Sequence, residues 1–284
     1  MTAPFSTDRA PLAIVMISLN EAHNMRAILE NITPLAQEIF LVDSFSSDNT
    51  VSIAEEFGVH VVRRKFSGFG DQWNFAMQEL PITAPWTMKL DPDERIGSEL
   101  ATAIRAALLA PNCDGYTLDR RLWFMGTAMP VKQRILRLWR TGSCHFSDVL
   151  VNEHPIVEGD IGHLTGILEH HDSPDLHHWF DKQNRYTTAE AQTAHEGRDL
   201  AAAPRFFGTR LERRMWLKSV FRRVPGRHIL MFFYCYVWMG AYKSGQAGLI
   251  WAKLRVTYFK MIEFKIVEMQ ISHPTRQTSE DKQS

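Results

Sequence analysis

Asp91 and Asp93, separated by Pro92 and followed by Glu94, close a strand-like run at 86–90. Side chains two apart on an extended chain share one side, so both carboxylates can face one point. Carboxylate oxygens suit hard divalent ions such as Mg²⁺ or Mn²⁺, and such an ion would neutralise charge on a departing diphosphate. For a lone D-x-D, a solvated acidic turn is the alternative. Three more clusters follow strand-like runs, where open α/β sheets bind ligands. They are 18–21 (SLNE, with Asn20 and Glu21), 42–50 (VDSFSSDNT, with Asp43, Ser44 and Asp48) and 68–74 (GFGDQWN, ending in Asn74). Taken singly, Asn20-Glu21 reads equally as a helix start and Asp43 as a turn residue. Turns do not easily explain the ordered set.

These clusters require a scaffold that ends several strands on one side. Residues 12–18 (LAIVMIS) are apolar and β-branched, as a buried parallel strand should be. Helical spacing follows over 20–32 and stops at Pro34. Further strands are predicted at 38–43, 59–63 and 86–90, with helices running from the cap-rich 46–50 through Phe57 and over 72–80. This rhythm predicts an α/β fold with a doubly wound, mostly parallel sheet flanked by helices. Beyond residue 100 it changes to a helix at 100–109, antiparallel strands at 115–124 and 133–139 added to the sheet edge, and a helix at 176–194.

The 284 residues are 45% hydrophobic and 23% charged, which excludes wholesale disorder. Three scattered cysteines exclude a disulfide scaffold or a C-x-x-C zinc site and fit a reducing, cytoplasmic compartment. No secretory signal is expected from the opening residues. Neither G-x-G-x-x-G after the first strand nor a Walker A sequence is present, which removes the main support for a dinucleotide dehydrogenase or a P-loop NTPase.

Zero net charge conceals an asymmetry: residues 1–200 hold 17 Lys and Arg against 27 Asp and Glu, and residues 201–284 hold 15 against 5. Residues 205–227 carry eight basic residues and one acid, Glu212, although helical projection does not separate basic from apolar positions. Residues 229–242 (ILMFFYCYVWMGAY) fall short of the ~20 needed to span a bilayer and predict a packed or interfacial helix. An acidic body with a basic tail points to an anionic partner, unless the two halves simply attract each other. A membrane surface fits better than nucleic acid, because the aromatics form an apolar block instead of interleaving with basic residues. Trp179, Trp216, Trp238 and Trp251 are expected as core or interfacial aromatics.

In order and spacing, S-L-N-E, V-D-S-F-S-S-D-N-T and D-P-D-E resemble the T-x-N-E, V-D-x-x-S-x-D-x-T and D-x-D-E motifs of the family-2 glycosyltransferases with the GT-A, Rossmann-like fold. Ser18, Phe45 and Asn49 are mild departures. Segments 120–126 (RRLWFMG), 134–140 (RILRLWR), 170–191 and 234–251 look like the bacterial branch that builds lipopolysaccharide core, including its β-1,4-glucosyltransferases. The resemblance implies a GT-A domain over 1–204, with the nucleotide-sugar half at 12–95 and the acceptor half at 96–204. A basic, aromatic helical region at 205–272 and a disordered tail at 273–284 would follow.

It further implies inverting transfer from a nucleotide sugar, UDP-linked in that branch, to a lipid-linked or phosphorylated saccharide at the cytoplasmic face of the membrane. Glu21 and Asp43 would hold the nucleoside, and Asn20, Ser44, Asp48 and Asn74 would lie nearby. Asp91 would support the ribose or the metal's surroundings, and Asp93 would bind Mg²⁺ or Mn²⁺. A V-H-E segment of the branch reads Val151-Asn152-Glu153 here, which makes Glu153 the candidate general base, with Asp148 as runner-up. Arg120, Arg121, Arg134 or Arg137 could bind phosphate or serve as strand-edge charge. His170 and His171 adjoin Asp172, but neighbours on a strand face opposite ways, so one His at most could join Asp93 at the metal. Sugar transfer to polyprenyl phosphate, which needs no base, is the near alternative. A non-catalytic nucleotide- or membrane-binding protein is the distant one.

Overall fold

The computed structural model describes residues 9–147, 154–195, 205–208, 212–213, 216, 220 and 224–272. By mutual packing the chain forms two compact units, Met1–Pro174 and Asp175–Ser284.

The first unit is built on an eight-stranded sheet in the order β3-β2-β1-β4-β7-β6-β10-β5. Strands β1 (Ala10–Ser18), β2 (Ala36–Asp43), β3 (His60–Arg63) and β4 (Trp86–Lys89) are mutually parallel. Helices α1 (Ala22–Ile32), α2 (Thr50–Glu56) and α3 (Phe69–Glu79) connect them, and β5 (Glu94–Ile96) and α4 (Ser98–Leu109) follow. Alternate residues of β1 feed opposite layers: Leu12, Ile14 and Met16 pack in the core that includes α1 and α4, and Ala13 and Val15 pack with Trp73 of α3. Burial on both faces explains why β1 reads as a continuous apolar run. On α1, Met25, Ile28, Leu29 and Ile32 are buried, the spacing of one helical face.

Strands β6 (Gly115–Phe124) and β7 (Thr127–Arg140) extend the sheet beyond β4 as an antiparallel pair. They do not form its edge, because β10 (Ile161–His171) lies parallel to β6 and β5 lies antiparallel to β10. Strands β8 (Cys144–Phe146) and β9 (Pro155–Val157) form a separate two-stranded sheet. The register of β10 shifts between His163 and Ile167. Gly166 there has φ +90, and an added Cβ would lie 2.4 Å from the Leu100 nitrogen. Only glycine lets α4 approach this strand so closely.

In the second unit, α5 (Leu176–His195) packs along the long helix α7 (Gly245–Ser272). Both helices lie in the unit that begins at Asp175, whereas the sequence reading divides the chain after residue 204. Tyr258 donates a hydrogen bond to Glu190 at 2.7 Å, and Lys265 Nζ donates to Asn184, Thr187 and Thr188. The apolar segment starts as α6 (Arg227–Phe233), continues as a π-turn over Tyr234–Trp238, and reaches a 3₁₀ turn at Ala241–Ser244. Gly248 touches that turn, where a Cβ would meet the Ala241 carbonyl. Among the described residues, no helix is long and apolar enough to cross a membrane. The tail at 273–284 and most of 205–223 lie outside the described residues.

Candidate metal and donor site

Strands β5 and β10 assemble the site. Their antiparallel register sets His170 opposite Glu94, and the His171 amide donates to the Asp93 carbonyl at 2.8 Å. His170 Nε2 then lies 3.3 Å from Asp93 Oδ2 and 3.9 Å from Asp172 Oδ1. One ligand atom from each of Asp93, His170 and Asp172 lies within 4.8 Å of the others. Two carboxylate oxygens with one imidazole nitrogen suit a divalent first-row ion, the nitrogen favouring Mn²⁺ over Mg²⁺. Burial works against protonation of His170, but the adjoining Asp93 carboxylate outweighs it and raises the imidazole pKa. His171 faces away and stacks on Trp123 with ring centroids 5.0 Å apart, as strand alternation requires.

The D-P-D-E segment is not extended. The Glu94 amide donates to the Asp91 carbonyl at 2.9 Å, closing a turn with Asp at its first position and Pro at its second, where each is favoured. The carboxylates therefore diverge. Asp91 Oδ2 accepts from Arg137 Nη2 at 2.7 Å, and the same nitrogen donates to Glu94 Oε1 at 2.8 Å. Burial would raise the Asp91 pKa, but Arg137 and then Lys89 hold it well below the usual carboxylate range. Asp91 thus braces the turn through an ion pair and is not among the three clustered ligands. Arg95 donates at 2.7 Å to the carbonyls of Pro92 and Glu94, and at 3.2 Å to that of Asn24. The turn is pinned to α1.

The four arginines that could bind phosphate or serve as strand-edge charge all pair with carboxylates. Arg120 joins Arg137 on Glu94, Arg121 pairs with Glu169, and Arg134 pairs with Asp119. Arg121 and Arg134 find carboxylates on the adjacent strand, whereas Arg120 and Arg137 converge on Glu94 of β5, which is adjacent to neither of their strands. Fully buried Glu94 is the acceptor that sequence reasoning missed, although it is the last letter of the motif. Asp172 was missed likewise, its signal being the H-H-D run that ends β10.

The loops after β1 and β2 interlock. The Asp43 carboxylate is fully buried and accepts from Ser18 Oγ at 2.9 Å and from both the amide and the hydroxyl of Ser46. Asn20 has φ 58, and its Oδ1 accepts from the Ser47 amide at 2.8 Å. The Glu21 amide donates to Thr50 Oγ1, and Asp48 accepts from the amides of Ala22 and Thr50. One carboxylate therefore serves the first turns of both α1 and α2. The Ser44 amide donates to the Ser18 carbonyl. Asn74 does not face these loops, because its amide is used on Phe146, donating to the carbonyl and accepting from the N–H. Its position on α3 directs it to β8. Asp148 and Glu153 lie outside the described residues.

Residues 13–156 match the family described as Glycosyl transferase family 2. The chain belongs to this family. It is a glycosyltransferase, which sets aside the non-catalytic reading, and its helix-flanked, mostly parallel sheet is the GT-A architecture expected from the motifs. An uncharacterized glycosyltransferase of Rickettsia prowazekii is 23% identical over 197 residues, covering 64% of this chain and 67% of the relative. One from Rickettsia bellii is 32% identical over 105 residues, covering 37% and 35%. The chain thus spans from about two thirds to about one third of these relatives. A mannosyltransferase from Pyrobaculum calidifontis, solved with GDP-Man and Mn²⁺, is similar with 16% identity, 93% and 89% coverage and a TM-score of 0.47. Glucosyl-3-phosphoglycerate synthase from Mycobacterium tuberculosis is similar with 19% identity, 39% and 44% coverage and a TM-score of 0.34.

Proposed function

We propose that this family-2 glycosyltransferase moves a hexose, with inversion, from a UDP-linked donor to a lipid-linked saccharide in cell-surface glycan assembly of the lipopolysaccharide-core type. The work would be done at the cytoplasmic face of a membrane. The observation that carries the catalytic part is the Asp93–His170–Asp172 cluster, in which Asp93 follows β4 and His170 and Asp172 lie at the end of β10. These three residues would hold Mn²⁺ or Mg²⁺, which supplies neutralisation of charge on the departing diphosphate. The Arg137–Glu94–Asp91 ion pairs keep the turn in shape, so that Asp93 is presented without reorganisation.

Glu21, partly exposed beside the interlocked loops, is assigned to the donor nucleoside. Glu153 takes the proton of the acceptor hydroxyl as its oxygen bonds to the anomeric carbon. The bond from that carbon to the diphosphate breaks, and its electron pair leaves with the nucleotide. Asp148 is the alternate base. Donor choice and acceptor class rest on the motif resemblance.

A panel of UDP- and GDP-sugars, assayed for release of nucleoside diphosphate with Mn²⁺ and again with chelator, tests this directly. Turnover of a UDP-sugar that stops on chelation is expected. Turnover indifferent to chelator would rule out the metal-based reading.

A further inference from the structure

The helix formed by α6 and its π-turn is apolar on the side that faces solvent. Exposure along 227–238 repeats in pairs. Ile229 and Leu230, Phe233 and Tyr234, and Val237 and Trp238 are all exposed, Trp238 reaching 83%. The alternating residues face inward: Arg227 and His228 pair with Glu263 of α7, and Cys235 is buried. Positions four apart drift by about 40° on an α-helix. The wider π-turn at Tyr234–Trp238 takes back part of that rotation and holds the third pair in line with the first two. The outward row contains no charged residue and no small one.

Exposed apolar residues occur singly on any soluble protein, but a continuous row of six marks an interaction surface. Its surroundings indicate which kind. Tyr234, Trp238 and half-exposed Tyr242 are the ring types that settle at a membrane–water interface. Lys243 follows directly in exposed position, and the stretch leading to the row has eight Lys and Arg between 205 and 227 with one acid. Basic flanks complement anionic lipid, each contributing about 1 kcal/mol near such a surface. The helix is also too short to cross a bilayer.

We infer that the Ile229–Leu230–Phe233–Tyr234–Val237–Trp238 row is a membrane-docking face, inserting into the headgroup–acyl boundary of an anionic leaflet. It gives the proposed transfer to a lipid-linked acceptor a physical site of contact with the bilayer. The helix would lie in the plane of the interface, as amphipathic anchors do.

The test uses the full chain and vesicles of phosphatidylcholine with or without phosphatidylglycerol. Wild-type protein should float with anionic vesicles, and a Phe233→Ser/Trp238→Ser variant should partition on the order of tenfold less with an unchanged melting temperature. Because the altered side chains are exposed, folding should survive. As a second readout, brominated lipid should quench wild-type tryptophan fluorescence more than that of Trp238→Phe.

Equal flotation of wild type and double variant, or no flotation of either, would overturn the docking face. So would a concentration-dependent dimer that the double variant abolishes in the absence of vesicle binding, since a second copy would then be the occupant. Release of nucleoside diphosphate from a soluble UDP-sugar is measured alongside. Its loss in wild type counts against the catalytic reading, and its persistence without flotation counts against docking alone.

Discussion

His170 Nε2 reaches Asp93 Oδ2 at 3.3 Å across a pair of strands that only the tertiary fold brings together. One strand begins immediately after the D-x-D turn, and the other ends the first unit. The contact joins an isolated acidic motif to a cluster of three side chains that could hold a metal ion.

Removing a ligand should remove the ion's contribution. Asp93→Ala and His170→Ala are each expected to lower nucleotide-sugar turnover on the order of 100-fold or more, since a bound ion supplies several kcal/mol of charge stabilisation. Asp172→Ala belongs to the same group. Each should also erase the rise in melting temperature that Mn²⁺ gives the wild type, a readout that needs no activity. A Mn²⁺ shift persisting in all three variants would place the ion elsewhere.

Arginines on the two central antiparallel strands should differ sharply in what they contribute. Arg137 is buried between Asp91 and Glu94, so Arg137→Ala leaves buried Glu94 with less compensation and should cost about 3–5 kcal/mol. Arg134 is 61% exposed in its pair with Asp119, and its loss should cost under about 1 kcal/mol. Urea unfolding of both variants decides this. Equal costs would mean that the Glu94 cluster is not the brace described.

Asp48 accepts from the first turns of two helices, so Asp48→Ala should destabilise by about 1–2 kcal/mol, as lost caps do. Burial pushes its pKa up, but hydrogen bonds from the Thr50 hydroxyl and from the Thr50 and Ala22 amides outweigh it, leaving the folded-state value lowered. The associated stability is therefore present above the unfolded-state pKa and lost as pH falls through the folded one. Melting temperatures of wild type and Asp48→Asn should converge in that acid range. A gap that stays constant with pH would refute the assignment.

Glu153→Gln separates two acceptor chemistries. A neutral hydroxyl acceptor needs a base, and turnover should fall on the order of 10²–10⁴-fold. An ionised polyprenyl phosphate needs none, and turnover with that acceptor should survive. The two acceptors are assayed side by side with one donor.

Local sequence determined the parallel half of the molecule. Strand β1, buried on both faces, must read as an apolar run, and β2 and β4 end at the acidic motifs, so these strands and the loops that follow them are legible in the sequence. The D-P-D-E segment, expected as extended from the spacing of its carboxylates, is a turn; two carboxylates two apart look alike in either state until Arg137 pairs with Asp91. Strand β10 gave little warning: its glycines and histidines lack clear alternation, and its partner β5 is three residues long. Asn74 looked like a ligand-loop residue until α3 aimed it at Phe146. The outward apolar row was visible as composition, but whether those side chains faced a core or solvent depends on which side of α6 meets α7. Contacts between residues far apart along the chain are set by packing and register, which no single stretch of sequence encodes, and the approach of His170 to Asp93 and the pairing of Arg120 and Arg137 with Glu94 exist only because that packing brings them there.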